Sequence, residues 1–143
     1  MSTAVGSANS ILNLIYRAQA WADIAEDDSS APATVLTIAL HTSAPVTDLQ
    51  SSNEVTVGQW NTYARVNVNR ATGKWNPPAN GLTKNVDLLQ FVEMVSGAGC
   101  TITHVSVGIS SNIIHFGELA SPRAVSAGIQ PQFAAEALVS TIT

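Results

Sequence analysis

Alternation of apolar and polar side chains at period two, recurring in short runs, constrains this chain more than any other feature. In Thr34-Val35-Leu36-Thr37-Ile38-Ala39-Leu40-His41, the residues Leu36, Ile38 and Leu40 fall on one face and Thr37, Ala39 and His41 on the other, which is the pattern of a half-buried strand. That strand is expected to be central in its sheet. A polar loop containing Pro45 and Asp48 follows, ending at Glu54-Val55. Alternation returns in Tyr63-Ala64-Arg65-Val66-Asn67-Val68, with Ala64, Val66 and Val68 facing inward. A third run, residues 101–109, sets Val105, Val107 and Ile109 against His104, Ser106 and Gly108. Ser110-Ser111-Asn112 is a connection of hairpin length to residues 113–119, so the two runs should pair antiparallel.

The remaining elements are read between these runs. Residues 7–10 offer N-capping side chains, and Ile11, Leu14, Ile15, Ala18, Trp21, Ala22 and Ala25 follow at helical spacing, predicting a helix over residues 10–25 with an acidic exit at Glu26-Asp27-Asp28. Pro32 marks a connector. A turn at residues 69–73 precedes Asn76-Pro77-Pro78-Ala79-Asn80-Gly81, where the two prolines exclude an interior strand. Residues 85–92, rich in Val, Leu and Phe, read as a deeply buried strand. Pro122-Arg123 marks the next turn, and last strands are expected near residues 129–133 and 137–142. The fold class is therefore mainly β: an antiparallel sandwich, jelly-roll-like, of about seven strands behind an N-terminal helix. Residues 1–33 form the arm, helix and connector, and residues 34–143 the β-domain.

Composition narrows the function. One domain of 143 residues can bury a core without disulfides or metal. Charged residues make up only 11% of the chain, well below the usual share, and Ser, Thr, Asn and Ala take their place. Such a surface is cheap to cover, as suits a protein living in an assembly. The six basic residues are scattered in a chain of net charge −4, so direct nucleic-acid binding is not expected. No stretch approaches a membrane span and no signal peptide is recognisable. Cys100 stands alone, as a buried small residue would.

Chemistry is sparse. His41, His104 and His115 lie on three expected strands without zinc-ligand spacing, no nucleophile elbow is present, and no glycine-rich turn opens a helix. No catalytic residue, cofactor or metal is assigned. His41, Asn53, Glu54 and Arg65 are expected to form a structural polar cluster beside the long loop, because loop backbone needs partners. Two groups of residues are candidates for interaction. Leu14, Ala18 and Trp21 on the helix would dock on another chain, so that the helix could be removed without unfolding the β-domain. Trp60, Tyr63 and Trp75 would serve as sugar platforms if the domain bound carbohydrate.

A resemblance adds to this. Ile11-Leu12-Asn13-Leu14-Ile15-Tyr16, Ala39-Leu40-His41-Thr42, Ser52-Asn53-Glu54-Val55, Tyr63-Ala64-Arg65-Val66, residues 101–109, Gly117-Glu118-Leu119 and Gly128-Ile129-Gln130-Pro131-Gln132-Phe133 are similar to a group of small tailed-bacteriophage virion proteins. The similarity runs in order through nearly the whole chain. It departs after His41-Thr42, where Ala44-Pro45-Val46-Thr47 replaces a Gly-rich stretch. Members are described as tail-fibre-like, minor capsid or decoration proteins. The resemblance implies a virion component made in the bacterial cytoplasm. Together with composition it favours a capsid decoration protein on the outer shell, a homotrimer seated on the major capsid protein. A tail-fibre or baseplate subunit and a carbohydrate-binding sandwich are the alternatives.

Overall fold

A computed structural model describes residues 4–21 and 32–142. It is mainly β, with antiparallel pairing and one N-terminal helix, α1 (Val5–Arg17). The strands are β1 (Val35–His41), β2 (Val66–Asn69), β3 (Leu82–Lys84), β4 (Leu89–Gln90), β5 (Cys100–Ile109), β6 (Asn112–Val125), β7 (Gln132–Phe133) and β8 (Val139–Thr141). Two compact units share the chain. One comprises Met1–Val35, Asn69–Leu89 and Phe133–Thr143; the other comprises Leu36–Val68 and Gln90–Gln132.

The first unit is built on α1. The helix starts five residues earlier than its sequence suggests, at Val5, with no side-chain cap at Ala4, and ends at Arg17, where Ala18 turns left-handed (φ 51°). What closes it is distant in sequence. Arg70 donates from Nε to the Ile15 carbonyl (2.8 Å) and from its terminal nitrogens to the carbonyls of Leu14 (2.6 Å) and Ala33 (3.0 Å), placing a cation on the orphan acceptors at the negative end of the helix. Residues 22–25 of the expected helix and its acidic exit lie outside the described residues. The buried stripe is Ala8, Leu12 and Tyr16, one position round from the expected Ile11-Leu14-Ile15-Ala18 stripe, whose members are half-buried. Tyr16 sets its ring edge on Trp75 at 4.6 Å and shares a 2.6 Å hydrogen bond with Ser140. Burial in this contact pushes its phenol well above the usual range. The helix thus contributes buried side chains to its own unit, which argues against the reading of it as a removable element.

Beside it, β3 pairs antiparallel with β8, setting Leu82 opposite Thr141, Thr83 opposite Ser140 and Lys84 opposite Val139. Buried Asn85 organises the turn before β8. Its side chain donates to the Asp87 and Ala134 carbonyls (2.7 and 2.9 Å) and accepts from the Leu138 amide (2.8 Å). Gly81 sits at φ +72°, where a Cβ would lie 2.6 Å from the Ile142 carbonyl oxygen, so only glycine fits the approach.

The second unit carries the four-stranded sheet, in the order β2-β1-β5-β6. As expected, β1 is central. It pairs antiparallel with β5, Thr37 opposite Gly108 through His41 opposite His104. Both faces are covered: Leu36, Ile38, Ala39, Leu40 and His41 are all buried, where alternation suggests one covered face. The β5–β6 hairpin forms through a two-residue turn, Ser110 and Ser111 both at positive φ (50° and 75°), which matches the strand twist.

Three segments differ from their sequence reading. Pro122 and Arg123, expected as a turn, stay within the fourteen-residue β6, because β6 is an edge strand and its register against β5 breaks between Ile102 and His104, where proline costs no ladder bond. Residues 85–92 are a strand only at Leu89–Gln90. Leu88 and Val92 are exposed while Leu89, Phe91 and Met94 are buried, so the apolar run reflects one face rather than two. Tyr63-Ala64-Arg65 is not strand, and Ala64 is exposed; the side chains flanking it are held elsewhere.

Candidate functional site

The largest polar constellation lies in the second unit, where the 42–53 loop meets β1, β5 and the hairpin turn. It includes all four residues expected to cluster. Arg65 grips Glu54 with two parallel bonds, Nε to Oε1 and Nη2 to Oε2, both 2.7 Å, the fork geometry that makes arginine–carboxylate pairs strong. Its guanidinium is held above its usual range by that pairing. The same carboxylate accepts from the Tyr63 hydroxyl (3.0 Å), which itself accepts from the Leu40 amide (2.9 Å). Burial, chiefly, pushes the Tyr63 phenol far upward.

Arg65 also donates from Nη1 to the side-chain Oε1 of Gln50 and to the Ser111 hydroxyl oxygen, both at 3.2 Å. Gln50 is fully buried. Its Oε1 accepts from Thr37 (2.6 Å), and its Nε2 donates to the Thr37 carbonyl (2.9 Å) and the Ser106 hydroxyl oxygen (3.3 Å). His41, also fully buried, completes the chain: its Nε2 lies 2.8 Å from Ser106 Oγ and its Nδ1 2.9 Å from the Ser52 carbonyl. A carbonyl only accepts, so Nδ1 carries the proton and Nε2 accepts from Ser106. Burial holds this imidazole below the usual histidine range, outweighing the Ser52 bond and Glu54. Asn53, at φ 53°, donates from its side chain to the Ala44 carbonyl (2.7 Å), while its own carbonyl accepts from the Thr42 amide (3.0 Å).

Sequence reasoning missed Gln50, Thr37, Tyr63 and Ser106 as members of this network. The signal for Gln50 is Gly108: a Cβ there would stand 2.5 Å from Gln50 Cδ and 2.6 Å from the Asn112 carbonyl, so the glycine makes room for the amide. The hydrogen bonds of this network run between its own members and the neighbouring backbone.

The other candidates scatter. Trp60 and Trp75 are 0% exposed, so neither offers a sugar platform, and that reading of them is corrected. Trp60 packs in an aromatic cluster with Tyr63 (5.4 Å) and Phe91 (6.3 Å), and Tyr63 stacks on Phe91 at 8°. Tyr63 is half-buried with its hydroxyl committed at both lone pair and proton. Leu14, Ala18 and Trp21 are half-buried. His104 stands opposite His41 across the β1–β5 ladder and His115 opposite Val107 on β6. Among the described residues no three His, Cys, Asp or Glu side chains are grouped to hold a metal. No helix among them is long and apolar enough to cross a membrane.

Fold and site together define a small, mainly β protein whose best-organised polar residues hold its own loop. Comparison with protein families matches residues 1–141 to podophage GP4 fiber I protein gp80. The chain belongs to that family, and so to the structural proteins of tailed-phage virions. Among curated proteins none matches it.

Proposed function

We propose that this protein is a non-enzymatic, fibre-type subunit of a short-tailed phage, which works by packing against copies of itself and neighbouring virion proteins. The family match over residues 1–141 is the observation that carries this, and its description supports a fibre or tail position over the capsid-decoration role that the resemblance and composition together put first. Sparse charge supports an assembly role. So do the apolar side chains left on the surface of the second unit, among them Val57 (70% exposed), Val95 (64%) and Phe116 (54%). Self-association is proposed as a homotrimer, with Leu14 on α1 and Ala18 and Trp21 just beyond its end contributing to the interface, and neither nucleic acid nor membrane is a partner.

Copy number decides position. Quantitative mass spectrometry of purified virions, with labelled antibody imaged on intact particles, should find few copies, confined to the tail. Many copies spread over the head would replace this reading with a decoration trimer on the major capsid protein. Absence from virions would end both.

A further inference from the structure

His41 occupies a position that its role as a network member does not exhaust. It is fully buried, and each ring nitrogen is bonded to a different part of the chain: Nδ1 to the loop through the Ser52 carbonyl, Nε2 to β5 through Ser106. The loop it holds in turn covers the start of β6. The Ile113 amide donates to the Asp48 carbonyl (2.7 Å), the Gln50 amide donates to the Ser111 carbonyl (2.9 Å), and Leu49 bridges Asn112. Within the loop, Ser52 Oγ accepts the Val46 amide (2.9 Å) and Asn53 ties to Ala44 and Thr42. Ser52 and Asn53 therefore fasten one end of the segment, and buried Gln50 fastens its middle through Thr37, Ser106 and Arg65, bonds that release of the loop must also give up.

We propose that residues 42–53 form an acid-released clasp, held over the first residues of β6 by neutral His41 and freed when His41 Nε2 takes up a proton. The chemistry is specific to the direction of each bond. Protonated, Nε2 becomes a donor and can no longer accept from Ser106. The Ser106 oxygen already receives Gln50 Nε2, so the serine proton must find another acceptor. The charged groups around His41 offer no relief. Arg65 beyond the loop and His104 across the ladder oppose a second cation, and Glu54, which would favour one, is engaged on both oxygens by Arg65 and on one by Tyr63. Letting the loop go gives the imidazolium water. It also leaves the Ile113 amide and Ser111 carbonyl unpaired, an opened stretch of strand edge beside Asn112.

Burial already lowers the folded-state value of His41, so opening is linked to uptake of one proton. The opening constant should rise as pH falls below roughly 6.5, the value of a free imidazole, by up to about tenfold per pH unit, and level off at the lowered folded-state value. Hydrogen exchange of the full chain, corrected for intrinsic rates, is the test. Between pH 7.5 and 5.0 the amides of Thr42, Gln50 and Ile113 should lose protection with that slope, while amides of the β1–β5 ladder keep theirs. In His41→Gln, whose amide can donate to Ser52 and accept from Ser106 without titrating, the slope should vanish. Loop protection flat with pH in the wild type, or equal loss across the ladder, overturns the proposal, as does a wild-type slope persisting in His41→Gln. Should that variant fail to fold, NMR titration of the wild-type rings decides. Loop amides must shift with the His41 midpoint; a midpoint shared with His104 or His115 instead overturns the clasp.

Discussion

Arg65 makes four side-chain hydrogen bonds to three residues, Gln50 and Glu54 in the long loop and Ser111 in the hairpin turn. Replacing it with alanine leaves Glu54, only 13% exposed in its side chain, with a single tyrosine donor. The expected loss is about 2 kcal/mol, between the worth of a surface pair and that of a fully buried one, or roughly 6 °C in melting temperature for a chain of this size. Arg65→Lys should recover little, because an ammonium cannot bond both carboxylate oxygens in parallel while reaching Gln50 and Ser111. Melting within a degree of wild type in Arg65→Ala would show the pair to be ornamental. Gly108→Ala should cost about 2 to 3 kcal/mol in denaturant midpoint by driving Gln50 from its seat. pH acts through His41 and His115, both held below their usual range by burial. The native state then binds fewer protons than the unfolded one, so their contribution is intact above about pH 6.5 and lost as pH falls towards the lowered values. Urea midpoints at pH 7.5 and 5.5 should differ in that direction, and a midpoint higher at pH 5.5 would contradict it.

At the scale of elements, long-range donors decide where several begin and end. α1 stops where Arg70 meets its last carbonyls, and no spacing within residues 10–25 encodes a guanidinium more than fifty residues away. Arg70→Ala should therefore fray the helix, leaving the Leu14, Ile15 and Ala33 carbonyls short of a donor. Loss of amide protection in Val5–Arg17 with little change in β5 would confirm the clamp, and unchanged helix protection would refute it. The strands β1 and β5 were legible because period-two alternation is a local signal and nothing interrupts it. The Ser110–Ser111 turn was legible from its length. Pro122 misled because its effect depends on an edge position and a register break that only pairing creates. Tyr63 and Arg65 alternate like strand residues, yet their side chains answer to Glu54, so tertiary bonding overrode the pattern. Of the polar network, the four charged or turn-forming members stood out by rarity. Gln50, Thr37 and Ser106 did not, since buried amides and hydroxyls look like surface ones in a chain so rich in them.

Taken whole, the protein folds as two units drawn from interleaved segments, and this bears on how it can be cut. Removing residues 1–20 takes away the buried Ala8, Leu12 and Tyr16, on the order of 4 to 5 kcal/mol of apolar burial. The truncated chain should lose amide protection in Leu82–Lys84 and Val139–Thr141, since Tyr16 and Asn9 contact Ser140 and Gly81 there. Retained protection in both strands would return the helix to the status of an appendage. Synthesis meets the same topology from the other side. The ribosome makes α1 among the first described residues, yet Ser140, its bonding partner, among the last. Tyr16, Trp75 and β3 must therefore wait, with apolar surface open, until β8 has emerged, while every residue of the second unit is already translated. A nascent chain that has emerged as far as residue 132 would carry every residue of the polar network and no finished first unit, which makes the interval before β8 emerges the time when the helix is most available to a chaperone or to another copy.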